Sequence, residues 1–310
     1  MPERGPNEIL VVGSIALDTV KSPYGQATSA LGGSALYFAI AASYFAPVNL
    51  VGVVGEDFPG TGYRILEKRK VNLDGLLRAP GKTFAWSAEY SSDLGERTTL
   101  RTDLNVFETF HPQIPARYRT SPFVFLANIS PELQAEVLEQ IDHPRLVVCD
   151  TMNLWIDFQR PQLLEVLSRV DVGFFNSDEA RQITGEHNLL KAAAGIARLG
   201  PKRVIIKKGE HGVLMVAGKE LFSLPAYPLE VVRDPTGAGD AFAGGFLGAL
   251  SRRDRLDENS YRCSLLYGTV VASFAVEGFG VEKIAGLTAD EIRDRYALLV
   301  DHARIPGEDA

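Results

Sequence analysis

The chain has 310 residues, 45% of them hydrophobic and 23% charged, with 32 Lys plus Arg against 39 Asp plus Glu. A net charge of −7 argues against a protein that gains affinity by neutralising nucleic-acid phosphates. No apolar run reaches the roughly 18 residues that a membrane span needs, and the start MPERGPNEILVVG holds no signal-peptide core.

Short β-rich apolar runs alternate with helical patterns for most of the length. Strands are expected at 9–12, 48–54, 123–126, 146–149, 172–175 and 204–207, and helices at 33–45, 60–70, 131–140, 161–168, 177–184 and 189–199. Alternation of this kind predicts an α/β fold with a mostly parallel central sheet flanked by helices. The strand runs are nearly continuous in apolar residues, as strands covered on both faces require. Two early regions break the pattern. Residues 18–31 carry turn residues without a helical period. Residues 83–102 alternate, with Phe84, Trp86, Ala88 and Tyr90 on one face before a turn at 91–96. These two regions are expected to pair as a small β layer beside the main body. The basic clusters Lys68-Arg69-Lys70 and Arg252-Arg253 read as solvated helix ends. Cys149 and Cys263, in apolar surroundings, read as small buried hydrophobes and fit a reducing cytoplasm. The tail from Arg304 on is polar and expected to fray.

The most informative segment is Asp234-Pro235-Thr236-Gly237-Ala238-Gly239-Asp240-Ala241-Phe242, after a strand-like run at 229–232 and before a helix reaching about Ser251. First-turn N–H groups lack intrahelical partners and sit at the positive end of the helix dipole. Gly237, Ala238 and Gly239 can therefore cradle phosphate oxygens. Gly237, Ala241, Gly244, Gly245 and Gly248 form a small-residue stripe that lets the helix pack closely on a neighbour. Asp240, in the first turn, either complements the dipole or accepts the proton of an incoming hydroxyl. Further on, Asn176-Ser177-Asp178-Glu179 reads as a helix cap, with Asn176 as N-cap and Glu179 three residues later. Asp150, Asn153 and Asn128 follow strand ends, where ligands bind in open parallel sheets.

The run from Asp234 through Phe246 resembles the C-terminal signature of the ribokinase-like (PfkB) carbohydrate and nucleoside kinases. That resemblance implies a three-layer ribokinase-like domain over 1–310, with a small β-sheet lid formed by about 14–31 and 83–105. It implies Asp240 as catalytic base and the 237–239 backbone as anion hole. Asp18, Gly32 and Gly33 match the family's substrate-binding stations. Lys207, Gly209, Gly212 and Thr236 fall beside the nucleotide, and Asn176 and Glu179 organise Mg²⁺ through water. The cofactors implied are ATP and Mg²⁺, with a monovalent cation as a further candidate, and the lid implies a homodimer. One departure stands out: ribose-binding members carry an Asn a few residues after the glycine pair, whereas here Ser34-Ala35-Leu36-Tyr37-Phe38 follows.

Three functions are carried forward. The first is an ATP-dependent kinase acting on a sugar hydroxyl. The second is a nucleoside kinase of the same fold, with Tyr37, Phe38, Trp86 and Phe107 as base-stacking candidates. The third is a non-catalytic sugar-binding regulator, which would have no use for Asp240. A P-loop ending Gly81-Lys82-Thr83 is rejected on spacing and on the β-like run that follows it. No His-Glu-x-x-His or Gly-x-Ser-x-Gly pattern is present.

Overall fold

The computed structural model describes residues 7–253 and 255–304; the tail beyond Arg304 lies outside the described residues. Among the described residues thirteen strands run in chain order: β1 (Ile9–Val12), β2 (Ala16–Ser22), β3 (Gly25–Gly32), β4 (Val48–Val54), β5 (Asn72–Arg78), β6 (Phe84–Tyr90), β7 (Arg97–Asp103), β8 (Phe123–Leu126), β9 (Leu146–Cys149), β10 (Val172–Asn176), β11 (Arg203–Lys207), β12 (Val213–Ala217) and β13 (Glu220–Leu224). The helices are α1 (Ser34–Ala42), α2 (Gly60–Lys68), α3 (Pro131–Leu138), α4 (Asn153–Phe158), α5 (Arg160–Ser168), α6 (Ser177–Thr184), α7 (Leu189–Ala197), α8 (Ala238–Ser251), α9 (Glu258–Ala275), α10 (Glu282–Ala285) and α11 (Ala289–His302).

Nine strands form the large sheet in the order β13-β12-β11-β10-β9-β8-β1-β4-β5. It is parallel except at one edge, where β12 and β13 fold back antiparallel. Helices cover both faces, and β1 shows why its sequence is apolar throughout. Ile9 and Val11 bury on the side of α1, α8 and α9, while Leu10 and Val12 bury on the side of α3, α5, α6 and α7. The remaining strands form a separate four-stranded sheet in the order β3-β2-β6-β7. Its β2–β6 pair is parallel, and Asp18 lies level with Trp86 across that pair.

Helix α8 is locked in place by the spacing of its small residues. A Cβ on Gly244 would stand 2.5 Å from the Phe38 carbonyl oxygen of α1, and one on Gly245 would stand 2.9 Å from the Tyr267 carbonyl oxygen of α9. Phe242 and Phe246 then pack edge-on against Phe174 of β10 at 5.7 and 5.4 Å. Such close-packed contacts do not slide, so the start of α8 is held at a fixed depth above the sheet.

Several sequence expectations need correction. Residues 229–232 form no strand. Pro225, Pro228 and Pro235 interrupt the segment, and Arg233 and Asp234 donate their N–H groups to the Val276 carbonyl instead of a ladder. The helices expected at 33–45 and 60–70 end earlier, at Ala42 and Lys68. Arg69 is no solvated charge: its guanidinium lies 3.4 Å from the Tyr44 ring centroid and bonds Ser43. Cys149 is buried, but Cys263 is only half-buried on α9. Strands β5, β12 and β13 had no counterpart in the sequence reading; β5 and β13 are half-exposed edge strands that mix polar with apolar residues, which breaks the apolar run.

Candidate active site

Loops at the carboxyl ends of the large sheet, the start of α8 and the cleft-facing side of the small sheet converge on one cluster of ionisable side chains. Helix α8 is preceded by its N-cap Gly237 in the left-handed region, at φ 73° and ψ 1°. Only glycine fits there, because a Cβ would stand 2.3 Å from the Tyr37 ring. Ala241 donates to the Gly237 carbonyl at 2.8 Å, and Ala238 turns back to the Pro235 carbonyl at 3.2 Å. Gly239 N–H has no main-chain acceptor outside the helix among the described residues. A Cβ on Gly239 would stand 2.9 Å from Lys207 Nζ, so the ammonium lies directly against this turn.

Asp240 sits in the first turn of α8 and keeps partial exposure. Burial raises its carboxyl to about 7; the Asp150 carboxylate adds to this and Lys207 opposes it. Lys207, at the end of β11, donates to Asp150 Oδ2 at 2.6 Å. Burial works against its charge, yet the carboxylates of Asp150 and Glu179 outweigh that and hold the ammonium above its ordinary range. Thr151 N–H fixes the other Asp150 oxygen at 2.9 Å. Asp150 is thus the lysine's anchor, a part that strand-end position alone did not single out.

Asn176 and Glu179 form the expected cap and more. The Asn176 side chain accepts from the N–H groups of Asp178 and Glu179, at 2.9 and 2.8 Å. Glu179 in return accepts from Asn176 N–H and from its Nδ2, each at 2.7 Å. The Glu179 side chain is buried, which raises its carboxyl to about 7 against the pull of Lys207. A divalent cation that keeps most of its own waters suits such a place, where a buried carboxylate lacks a full counter-charge.

Opposite this group, Asp18 on β2 is 5% exposed. Burial, then the charges of Asp234 and Asp240, raise its carboxyl to about 8, while the Gly33 N–H holds it back. Both neighbouring glycines are structural necessities. A Cβ on Gly32 would fall 2.0 Å from Asp18 Oδ2, and Gly33, at φ 94°, would clash with the Ser14 carbonyl at 2.6 Å. The small sheet touches the α8 start directly: the Tyr90 hydroxyl and Thr236 Oγ1 are 3.0 Å apart, and Ser22 Oγ donates to the Arg233 carbonyl at 2.6 Å. Gly209 and Gly212 shape a tight turn at φ 57° and 83° after β11.

Not every sequence candidate lands here. Phe38 is stacked on Phe125 at 4.2 Å inside the core, and Tyr37 is buried beneath Gly237. Phe107 packs against Phe84 and Phe110. Of the stacking candidates, Trp86 and Phe107 are half-exposed, and Trp86 lies beside Asp18. Asn153 bonds Gln182 on the surface, and Asn128 accepts from Trp155. Conversely, Tyr90, Arg97 and Asp234 belong to the cluster without having been assigned roles; only strand register brings the first two over the cleft.

Comparison with known proteins bears on the family and the fold. The family model "pfkB family carbohydrate kinase" matches residues 7–285. A cytidine kinase of Thermococcus kodakarensis is 34% identical over 257 residues, covering 81% of this chain and 91% of that protein. A nucleoside kinase of Methanocaldococcus jannaschii is 25% identical over 235 residues, covering 76% and 74%. The crystal structure of M. jannaschii nucleoside kinase superposes with a TM-score of 0.75 at 21% identity, over 94% of this chain and 98% of that one. A putative ribokinase II from E. coli gives 0.78 at 20% identity, over 94% and 99%. A fold with this sheet order and a family match along most of its length leave one assignment: the chain belongs to the pfkB family of carbohydrate kinases, enzymes that move a phosphoryl group onto a hydroxyl.

Proposed function

We propose that the chain transfers the γ-phosphoryl group of Mg²⁺·ATP to the primary hydroxyl of a nucleoside. The observation that carries the chemistry is Asp240: a carboxyl raised to about 7 at the mouth of a helix start whose Gly237 admits no side chain. The acceptor O–H approaches the γ-phosphorus, the new O–P bond forms as the bond to the β,γ-bridging oxygen breaks, and ADP leaves. The acceptor proton goes to Asp240. Positioning dominates such a transfer, so a base that is half-ionised near neutral pH suffices. Residues 237–239 and Lys207 would hold phosphate oxygens. Mg²⁺, when bound beside Asn176 and Glu179, supplies positive charge against the phosphates. Asp18 would hold acceptor hydroxyls, with Gly32 and Gly33 leaving room for it. The small sheet acts as the lid that excludes water from the transfer.

The nucleoside rather than the free sugar is favoured by the 34% identity to a cytidine kinase across 91% of that protein. Trp86, level with Asp18, supplies an aromatic surface on the acceptor side. A monovalent cation fits beside Asp234, a carboxylate 1% exposed whose bonded partners, the N–H groups of Thr236 and Gly280 and the Thr236 hydroxyl, carry no charge. A homodimer through the lid would cover β7, an exposed edge strand. The test is an ADP-release screen across nucleosides, pentoses and hexoses. Turnover of nucleosides is expected; turnover confined to free sugars would replace the nucleoside reading with the sugar kinase.

A further inference from the structure

The cleft is crowded with acid. Asp18, Asp150, Glu179, Asp234 and Asp240 all stand around the α8 start, and the buried cation among them, Lys207, is already bonded to Asp150 at 2.6 Å. A triphosphate brought into this place adds several negative charges. Mg²⁺ offsets part of them; the rest calls for a cation that is not committed to a carboxylate.

The small sheet carries one. Its other cations are paired on the outer side, Lys21 with Glu89 at 2.7 Å and Arg101 with Asp103 at 2.7 Å. Arg97 has no carboxylate within ion-pair distance among the described residues. It opens β7 directly opposite Tyr90 of β6. Its guanidinium stacks over Trp86, 5.2 Å from the ring centroid, and stands against the Tyr90 hydroxyl. That hydroxyl in turn lies 3.0 Å from Thr236 Oγ1, next to Gly237. The positive charge of Arg97 is also felt at Glu179, across the cleft on α6. The exposed Arg97, held by Trp86 and the Tyr90 hydroxyl, thus keeps a planar, five-donor fork free of any carboxylate beside the Tyr90–Thr236 contact. That shape matches phosphate oxygens in a bidentate manner, which an ammonium cannot do.

We propose that Arg97 is a lid-borne ligand of the γ-phosphoryl group, carried to the α8 start by the Tyr90–Thr236 contact. This rests on the reading of that helix start as the phosphate site. Because Arg97 travels with the small sheet, its bond to phosphate forms only when the sheet lies over the cleft. Closure of the sheet and stabilisation of the transferring group thus become a single event.

The test is calorimetric titration of the full chain with Mg²⁺·ADP and with the Mg²⁺ complex of a β,γ-imido ATP analogue, for the wild type, Arg97→Met and Arg97→Lys. The expected result is a loss of about tenfold or more in analogue affinity for Arg97→Met, with ADP affinity within about twofold of wild type. Arg97→Lys should recover part of the loss, since it restores charge without the fork. Turnover of Arg97→Met should fall about a hundredfold at saturating nucleotide, with acceptor KM little changed. Unchanged analogue affinity in Arg97→Met, or an equal loss for both nucleotides, overturns the proposal. A rise in acceptor KM alone does so too, by placing Arg97 on the acceptor. A wild type that binds neither nucleotide removes the ATP reading itself, an outcome distinct from a wild type that binds both while the variant matches it.

Discussion

Replacing Asp18 with Asn separates what the site needs from what the fold would prefer. Asp18 is 5% exposed, and its carboxyl is carried from 3.8 to about 8 by burial and by Asp234 and Asp240. At about 1.4 kcal/mol per tenfold change in proton affinity, the ionised form holds the fold back by at most about 6 kcal/mol. Water entering the cleft reduces that, and about 2–3 kcal/mol is expected. The sign follows from proton counting. Between about pH 4 and pH 8 the folded chain keeps a proton that the unfolded chain has lost, so stability falls as pH rises. Below about pH 4 both states are protonated, and above about pH 8 both are ionised, so the penalty is then constant. Asn keeps the shape and the acceptor for Gly33 N–H and never ionises. Urea unfolding at pH 5, 7 and 9 measures this. Asp18→Asn should be close to wild type at pH 5 and more stable by about 2–3 kcal/mol at pH 9, while losing acceptor affinity. Parallel stability curves at all three values would refute the reasoning.

Two further outcomes follow from the same cluster. Gly237→Ala must place a Cβ 2.3 Å from the Tyr37 ring at φ 73°, and should cost about 2–4 kcal/mol together with nearly all turnover; thermal unfolding and a kinase assay report both, and a wild-type-like variant would show that the turn is slack. Wild-type kcat/KM should rise with pH through about 7, because Asp240 must be deprotonated to accept the acceptor proton; a flat profile from about pH 6 to 8 would mean that another group sets the rate.

Much of this architecture was legible in the residues, for identifiable reasons. Strands such as 9–12 and 146–149 are buried on both faces, so their apolar runs are unbroken and bounded by turn residues. The Asn176–Glu179 cap needs only local spacing, and it forms as read. What escaped depends on partners distant in sequence. Tyr37 and Phe38 looked like stacking residues because nothing local reveals that one lies under Gly237 and the other against Phe125. Lys207 was ambiguous until Asp150, from a different strand, proved to be its anchor. Arg97 is an unremarkable charge in a polar hairpin; its position over the cleft follows from the register of β6 against β7, which includes an irregularity at Ser87/Ala88 that alternation cannot locate.

The most direct test is phosphoryl transfer by Asp240→Asn at saturating Mg²⁺·ATP and acceptor. The substitution removes the proton acceptor while leaving Gly237, Gly239 and Lys207 in place. The account predicts a fall in kcat of about a hundredfold to ten-thousandfold. A kcat within about threefold of wild type would contradict it, because Asp240 would then have no part in moving the proton.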